Sequence, residues 1–290
     1  MTATATMPDL RRLPAALTRR LVELDGPIRL SVAALVAGRP ALLVGPPGSG
    51  KTTLARGICQ ALGVEPGWVQ GGPDTLPSDL TGTSVPSLLG AEWTWHPGPL
   101  LTPVVVVDEL PLIPPRSLSP LREAVGLGRV TPAGTPSIPL PDPWWLAATA
   151  TSDELERAPL DASLADRVLV VRVPAVSPAG RRAAARATGS VQQVASLEDL
   201  AAWRAEARDV TVPDALEAWV SDLCADAGVS VRADADLLRM GSSLALLEGR
   251  QTVRPDDLAA ALHAVLDHRC SPDALSAALA RHPLPMGPRR

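Results

Sequence analysis

Residues 45–52 read Gly-Pro-Pro-Gly-Ser-Gly-Lys-Thr, and they are the most informative part of the sequence about the fold. An apolar run at 41–44 (Ala-Leu-Leu-Val) precedes it, and residues 53–58 (Thr-Leu-Ala-Arg-Gly-Ile) follow it. The pattern is a short buried strand, a turn whose glycines allow unusual backbone angles, and a helix. Backbone N–H groups of such a turn and the N-terminus of the helix can enclose the β-phosphate of a nucleotide. The stretch therefore predicts a phosphate-binding P-loop.

Lys51 is the only lysine in a chain with 27 basic residues, so arginine carries positive charge everywhere else. A compact ammonium can bridge β- and γ-phosphate oxygens where a rigid guanidinium cannot. The Thr52 hydroxyl would ligate Mg²⁺. The residues expected to contact the nucleotide, ATP, are Gly45, Pro46, Pro47, Gly48, Ser49, Gly50, Lys51, Thr52 and Thr53.

Residues 103–109 read Pro-Val-Val-Val-Val-Asp-Glu. Four successive valines predict a strand buried on both faces, as in a parallel sheet, with the acidic pair at its C-terminal edge beside the P-loop. Asp108 would hold Mg²⁺ through its water shell, and Glu109 would be the base that polarises the attacking water. The alternative is a strand followed by a solvated acidic turn. The pair favours hydrolysis over transfer to a second substrate.

The rest of the chain predicts further strands and then only helices. The strand candidates are 41–45, 67–70, 103–107, 144–148 and 167–173. Pro174, Pro178 and Gly180 predict a linker, after which helices are expected from Ser196, over 213–227, over 231–248 and over 255–269. A P-loop domain with a mostly parallel five-stranded sheet, followed by an all-α lid domain, is typical of the AAA+ class.

Two stretches resemble the MoxR family of AAA+ ATPases, and the likeness spans about residues 25 to 270. Residues 70–83 (Gln-Gly-Gly-Pro-Asp-Thr-Leu-Pro-Ser-Asp-Leu-Thr-Gly-Thr) match the "Q-x4-LLPSDLTG" segment of that family, and residues 93–100 match its "F-x-x-GP" turn. Judged without the family, 71–100 is a glycine- and proline-rich loop long enough to suggest function.

The resemblance implies an organisation into regions and an assembly. The regions are an N-terminal helical extension at 1–24, an α/β ATPase core at 25–175 and a helical lid domain at 176–290. Inserts at 71–100 and 129–143, the second a β-hairpin, would face the pore of a hexameric ring.

Two arginines have roles implied by the resemblance. Arg167 aligns with the "LDRF" motif of the family, whose arginine reaches the γ-phosphate of a neighbouring subunit; the alternative is a surface ion pair with Asp166 or Asp161. Arg232 aligns with "GxSPRA" and would be sensor 2, lowering the lid onto the γ-phosphate of its own chain. The alternative for Arg232 is a solvent-facing arginine.

The sequence also departs from the family. Thr151 stands where sensor 1 is an asparagine, and a hydroxyl is shorter and offers one donor, so slow hydrolysis is expected. Residues 108–113 replace the "DEINRA" motif by Asp-Glu-Leu-Pro-Leu-Ile, so the inter-subunit role of that arginine is lost or moved to Arg116.

Composition excludes several classes. The net charge of −4 disfavours a nucleic-acid partner. Since no apolar run is long enough for export or membrane insertion, we expect a cytoplasmic protein. Three scattered cysteines indicate reduced core thiols, and His263 and His268 lie about 140° apart on a helix and so would not share a metal.

The functional prediction is therefore a ring-forming ATPase that uses ATP and Mg²⁺. By resemblance it would remodel or activate a client protein, commonly one with a von Willebrand factor A domain. The departures at Thr151 and residues 111–112 leave open a nucleotide-gated switch or scaffold with negligible hydrolysis. A nucleic-acid-dependent motor is the third alternative.

Overall fold

The computed structural model describes residues 9–86, 93–187 and 189–285. The strands are β1 (Ala41–Val44), β2 (Gly67–Gln70), β3 (Gly82–Pro86), β4 (Trp93–Pro97), β5 (Val104–Asp108), β6 (Arg129–Val130), β7 (Ile138–Pro139), β8 (Trp145–Ala150) and β9 (Leu169–Arg172). The α-helices are α1 (Arg12–Thr18), α2 (Asp25–Val36), α3 (Lys51–Leu62), α4 (Pro77–Thr81), α5 (Ser119–Leu127), α6 (Ser152–Arg157), α7 (Ala162–Ala165), α8 (Pro178–Arg186), α9 (Leu197–Asp209), α10 (Asp214–Asp226), α11 (Val231–Leu247), α12 (Pro255–Leu266) and α13 (Pro272–Arg281). Parts of the expected extension, first insert and lid that fall on 1–8, 87–92, 188 and 286–290 lie outside the described residues.

A five-stranded parallel sheet forms the centre of the ATPase core, in the order β2-β5-β8-β1-β9. All of β1 and β8 and the four valines of β5 are buried, because helices cover both faces of the sheet. The predicted five-stranded sheet is confirmed. Since β8 lies between β1 and β5, the end of β8 separates the P-loop from the acidic pair.

Two antiparallel hairpins project from this core. Strands β3 and β4 pair from Gly82↔Pro97 to Pro86↔Trp93, within the range of the first expected insert. The short strands β6 and β7 pair within the range of the second.

The C-terminal part of the described chain is helical, as predicted, and its core is continuous with one face of the sheet. Two details differ from the sequence-based expectations. Pro178 and Gly180 do not form a linker: they lie in α8, where Pro178 occupies the first helical turn and Ser177 caps the helix. The last expected helix ends at Leu266, and α13, capped by Ser271, follows it.

The lid helices dock on the N-terminal edge of the sheet. Asp236 of α11 is fully buried and accepts hydrogen bonds from Arg39, which precedes β1 (3.2 Å), and from Arg269 (2.7 Å). The His268 ring lies 3.1 and 3.0 Å from the carbonyl oxygens of Ala165 and Val168. These buried polar contacts join the lid to the edge opposite the P-loop.

None of the helices within the described residues is long and apolar enough to cross a membrane.

Candidate functional site

The P-loop follows β1 at the C-terminal edge of the sheet, and its backbone requires glycine at several points. Gly48 and Gly50 have φ angles of 74° and 94°, in the left-handed region that other residues rarely adopt. A Cβ on Gly45 would lie 2.1 Å from the Val173 carbonyl oxygen, so the loop also depends on close backbone approach. Helix α3 begins at Lys51, directly after Gly50, and its free N–H groups face the loop.

Lys51 is 8% exposed, and its ammonium donates to the carbonyl oxygens of Gly45 (2.8 Å) and Pro46 (2.9 Å). Burial lowers the pKa of Lys51, while the carboxylates of Glu154 and Asp108 act in the opposite direction. An ammonium has three donors and these two partners are neutral, so one donor and the full positive charge are available to a phosphate. The residues therefore fit a nucleoside triphosphate.

One carboxylate oxygen of Asp108 accepts hydrogen bonds from two hydroxyl groups. Thr52 Oγ1 donates to its Oδ1 at 2.8 Å, and Thr149 Oγ1 donates to the same atom at 2.6 Å. The described residues contain no group of three or more His, Cys, Asp or Glu side chains able to hold a metal ion. One hydroxyl and one carboxylate, completed by waters and substrate phosphates, is the sparse ligand set that Mg²⁺ uses in such sites. Thr52 and Asp108 are thus adjacent and fit Mg²⁺.

Glu109 has φ 57° and ψ 47°, a left-handed conformation that costs a non-glycine residue about 1–2 kcal/mol. Three contacts hold it there. Its N–H donates to Thr149 Oγ1 (3.0 Å), and its carboxylate accepts from Gln70 Nε2 (2.8 Å). Gly71 approaches so closely that a Cβ there would lie 2.2 Å from the Glu109 carbonyl oxygen. The surroundings therefore fix the direction of the candidate base.

Sequence reasoning assigned no role at this site to Gln70, Gly71 or Thr149. Gln70 and Gly71 open the 70–83 stretch quoted above, and Thr149 lies two residues before the predicted sensor Thr151, so the local signals were present. The strand order places β2 on one side of β5 and β8 on the other. Gln70, Gly71 and Thr149 become neighbours of the acidic pair only through this order.

Thr151 caps α6. Its hydroxyl accepts from the Glu154 N–H (3.2 Å), and the Glu154 carboxylate accepts from the Thr151 N–H (2.8 Å). This reciprocal capping box uses the acceptor capacity of the hydroxyl and leaves its proton free to donate.

Arg167 lies at the other edge of the sheet. Leu169 of β9 is in register with Ala41, the first residue of β1, so Arg167 precedes the strands while the P-loop follows them. The four-residue strand alone separates these two levels by about 13 Å. Arg167 Nη1 donates to the carbonyl oxygen and hydroxyl of Ser163, both at 2.6 Å.

The alternative ion pairs proposed for Arg167 are occupied by other arginines. Asp161 pairs with Arg122 at 2.8 Å, and Asp166 accepts from Arg232 and from the Ser230 hydroxyl (2.6 Å). Partial burial acts to raise the pKa of both carboxyls, but the hydrogen bonds from their partners together outweigh it and hold each pKa below the usual range.

Arg232, for which action on the γ-phosphate of its own chain is expected, pairs with Asp166 in this structure. Because the lid docks on the N-terminal edge, Arg232 lies beside Asp166, at the level of Arg167 and away from the P-loop of the same chain. Arg116, the substitute considered for the missing arginine, is exposed in a 3₁₀ turn at Pro115–Leu118.

The remaining polar candidates agree with structural roles. Cys59 and Cys224 are buried, and burial raises the pKa of each thiol to about 12, so neither is a nucleophile at neutral pH. His263 pairs with Asp267 at 2.9 Å, and His268 takes part in the lid contact.

A P-loop after β1, an acidic pair after β5, a strand inserted between them and a helical lid define a P-loop ATPase of the AAA+ type. Residues 40–170 match the model of the ATPase family associated with various cellular activities (AAA), and residues 217–282 match the AAA lid domain. A candidate ATPase from Cytophaga hutchinsonii, known as a crystal structure, superposes with a TM-score of 0.80 and 23% identity over 93% of this chain and 89% of that one, which supports the fold.

Sequence relatives narrow the class. The protein MoxR of Paracoccus denitrificans is 31% identical over 83% of this chain and 81% of its own. The chaperone MoxR1 of Mycobacterium tuberculosis is 26% identical (91% and 76% covered), and the uncharacterized protein YeaC of Bacillus subtilis is 30% identical (83% and 80%). The chain belongs to the MoxR family of AAA+ ATPases, a family of nucleotide-binding proteins.

Proposed function

We propose that the chain hydrolyses ATP with Mg²⁺ in a head-to-tail hexameric ring and uses the cycle to remodel or activate a partner protein. Lys51 binds β- and γ-phosphate oxygens, and Thr52 and Asp108 hold Mg²⁺, which neutralises phosphate charge. Glu109 removes a proton from the attacking water as the water oxygen forms its bond to the γ-phosphorus and ADP departs.

One observation carries the ring proposal: the two halves of the candidate site lie at opposite edges of the same sheet. The C-terminal edge holds Lys51 and Glu109, and the N-terminal edge holds Arg167 and Arg232. A chain with complementary halves of one site on opposite edges completes that site by a heterologous contact, and such contacts form a ring when the rotation between neighbours closes. Both arginines would then act on the nucleotide of the neighbour, where a cation supplied in trans accelerates hydrolysis by roughly 10³–10⁵-fold.

The fully buried Asp236 contact supports a lid and a core that move together in one chain. The γ-phosphate would therefore change the angle between neighbouring chains rather than the angle between lid and core of one chain.

The partner protein is proposed on family grounds. MoxR1 is described as a chaperone, and a client with a von Willebrand factor A domain fits the family resemblance. The two hairpins, β3–β4 and β6–β7, are the candidate client-contacting elements.

Glu109→Gln tests the proposal. It removes the base and keeps the shape of the side chain and its acceptor for Gln70. We expect ATP affinity within about threefold of wild type and turnover reduced by roughly 100-fold or more. Glu156→Gln, an exposed glutamate on α6, is the matched control. Phosphate release at the wild-type rate by Glu109→Gln protein would overturn the assignment of Glu109 as the base.

Because this variant is expected to bind ATP without hydrolysing it, Glu109→Gln protein with ATP is also the reagent for isolating the client.

A nucleotide-gated switch with negligible hydrolysis is the second candidate, and the threonine at position 151, which replaces the family's asparagine with a shorter side chain that offers one donor, favours it. Phosphate release measured at protein concentrations that assemble rings separates the two functions, because a switch binds ATP without turnover.

A further inference from the structure

A cavity of about 490 Å³ lies between the core and the lid, at the N-terminal edge of the sheet and away from the P-loop. Its walls come from the end of α2, from α9 and from α11. Val36, Ala207 and Val210 are among its apolar residues, and Arg204, Arg208 and Arg239 provide its charge. No Asp or Glu is among the described residues that line it. In a chain of net charge −4, this is a local concentration of positive charge.

Arg204 is bound by neutral partners alone. Its Nε and Nη2 donate to the Leu35 carbonyl oxygen (both 3.1 Å), and Nη2 also donates to the Trp144 carbonyl oxygen (2.9 Å). Burial lowers the pKa of Arg204 to about 10, because these carbonyls do not replace the lost hydration of the charge. Its Nη1 makes none of the hydrogen bonds found among the described residues and remains free to donate.

Arg208 and Arg239 are exposed and form no ion pair or side-chain hydrogen bond within the described part of the chain. Asp236, three residues before Arg239, is fully engaged by Arg39 and Arg269. None of the three cavity guanidiniums therefore hydrogen-bonds to a carboxylate among the described residues, and the charge nearest to compensating Arg204 is that of Asp142, which acts through space.

One serine adds a polar group to the wall, and a second lies beneath it. Ser242 is 7% exposed on the cavity side of α11, and Ser243 is completely buried under the wall.

We propose that this cavity binds a phosphate-bearing small molecule with an apolar portion. The several oxygens and the double negative charge of a phosphate monoester match the planar forks of several guanidiniums. The apolar residues accept the rest of the molecule, and the volume lies within the range of small-molecule sites. A concave site of this size favours a small ligand over the surface of a neighbouring chain.

Phenyl phosphate is the probe, and titration calorimetry at constant ionic strength measures its binding. The measurement uses full-length Lys51→Ala protein, so that the P-loop does not compete for phosphate. We expect the affinity for phenyl phosphate to fall at least about tenfold when Arg208→Gln and Arg239→Gln are added. These substitutions remove the charged donors of two strong hydrogen bonds to the phosphate. Arg12→Gln with Arg19→Gln, two exposed arginines of the α1 region, gives the same change of net charge as a matched control and should leave binding within about twofold.

Equal binding by the cavity variant and the control would overturn the proposal, as would the absence of binding to Lys51→Ala protein. Benzoate, with the same ring and a single charge, should bind at least about tenfold more weakly, and equal affinity would overturn the assignment to phosphate. Analytical ultracentrifugation of the cavity variant should show wild-type assembly. Loss of oligomers without loss of phenyl phosphate binding would assign the arginines to a contact between chains instead.

Discussion

Thr149 Oγ1 donates a 2.6 Å hydrogen bond to the Asp108 carboxylate. The same oxygen accepts the N–H of Glu109, so one hydroxyl orients the candidate metal ligand and the candidate base together. Because Thr149 is 1% exposed, water cannot replace that hydroxyl when it is removed.

Thr149→Val keeps the shape of the side chain and removes the hydroxyl. We expect turnover to fall at least about tenfold while ATP affinity stays within about threefold. The variant loses the hydroxyl that orients Glu109, and the groups that contact the phosphates are unchanged. Steady-state phosphate release and nucleotide titration measure the two quantities. Thr149→Ser should restore most of the rate, and a Thr149→Val protein with wild-type turnover would refute this role.

Arg232→Ala separates action on the chain's own nucleotide from action on the neighbour's. The variant alone should lose turnover at least about 100-fold. Mixed with Lys51→Ala subunits, which bind no ATP but carry an intact arginine, it should regain activity in proportion to mixed contacts. Arg167→Ala should behave in the same way, with Arg19→Ala as a surface control. Activity that stays absent over all mixing ratios would contradict action in trans.

Asp236→Ala removes the only negative charge that contacts both Arg39 and Arg269 in the described structure. Two largely buried guanidiniums lose their counterion, and breaking a buried pair in this way costs about 3–5 kcal/mol of unfolding free energy. Urea unfolding measures the change. Asp222→Ala, an exposed acid on α10, should change stability by less than about 0.5 kcal/mol; a similar small change for Asp236→Ala would show that the lid contact is weak.

His268 makes stability depend on pH. Burial and the neighbouring Arg269 lower the pKa of His268 to about 4 from its ordinary value of 6.5, so in the folded protein the ring is neutral and donates through Nε2. Between pH 6.5 and 4 the unfolded chain binds more protons than the folded one, so this contribution is present above pH 6.5 and is lost as the pH falls toward 4. From pH 7 to pH 5 we expect a loss of up to about 2 kcal/mol from this group.

Replacement by Gln, which keeps a donor and does not titrate in this range, should flatten the pH dependence of the unfolding free energy. An unchanged slope between pH 7 and pH 5 would exclude His268 as its source.

The sequence alone was sufficient to predict the sheet, because the valines of β5 and the glycines of the P-loop have few alternative structures. It also predicted Lys51, Thr52, Asp108 and Glu109 as neighbours, since these follow parallel strands of one sheet. The placement of Arg232 could not be predicted in the same way. That position depends on the edge of the sheet against which α11 packs, and buried pairs such as Asp236 with Arg39, 197 residues apart, decide it. The contact of Gln70 with Glu109 was not predicted for a similar reason: the strand order, and not the local sequence pattern, makes these residues neighbours.

The buried ammonium of Lys51 also determines how this chain can be modified. Since this sequence has no other lysine, acetyl, ubiquitin or amine-reactive labels directed at lysine side chains meet a single acceptor, whose nitrogen is already bonded to two carbonyls. Acylation of Lys51 would abolish its charge. Because the nitrogen reacts only after its two hydrogen bonds open, the extent of labelling, measured by mass spectrometry, reports on opening of the P-loop.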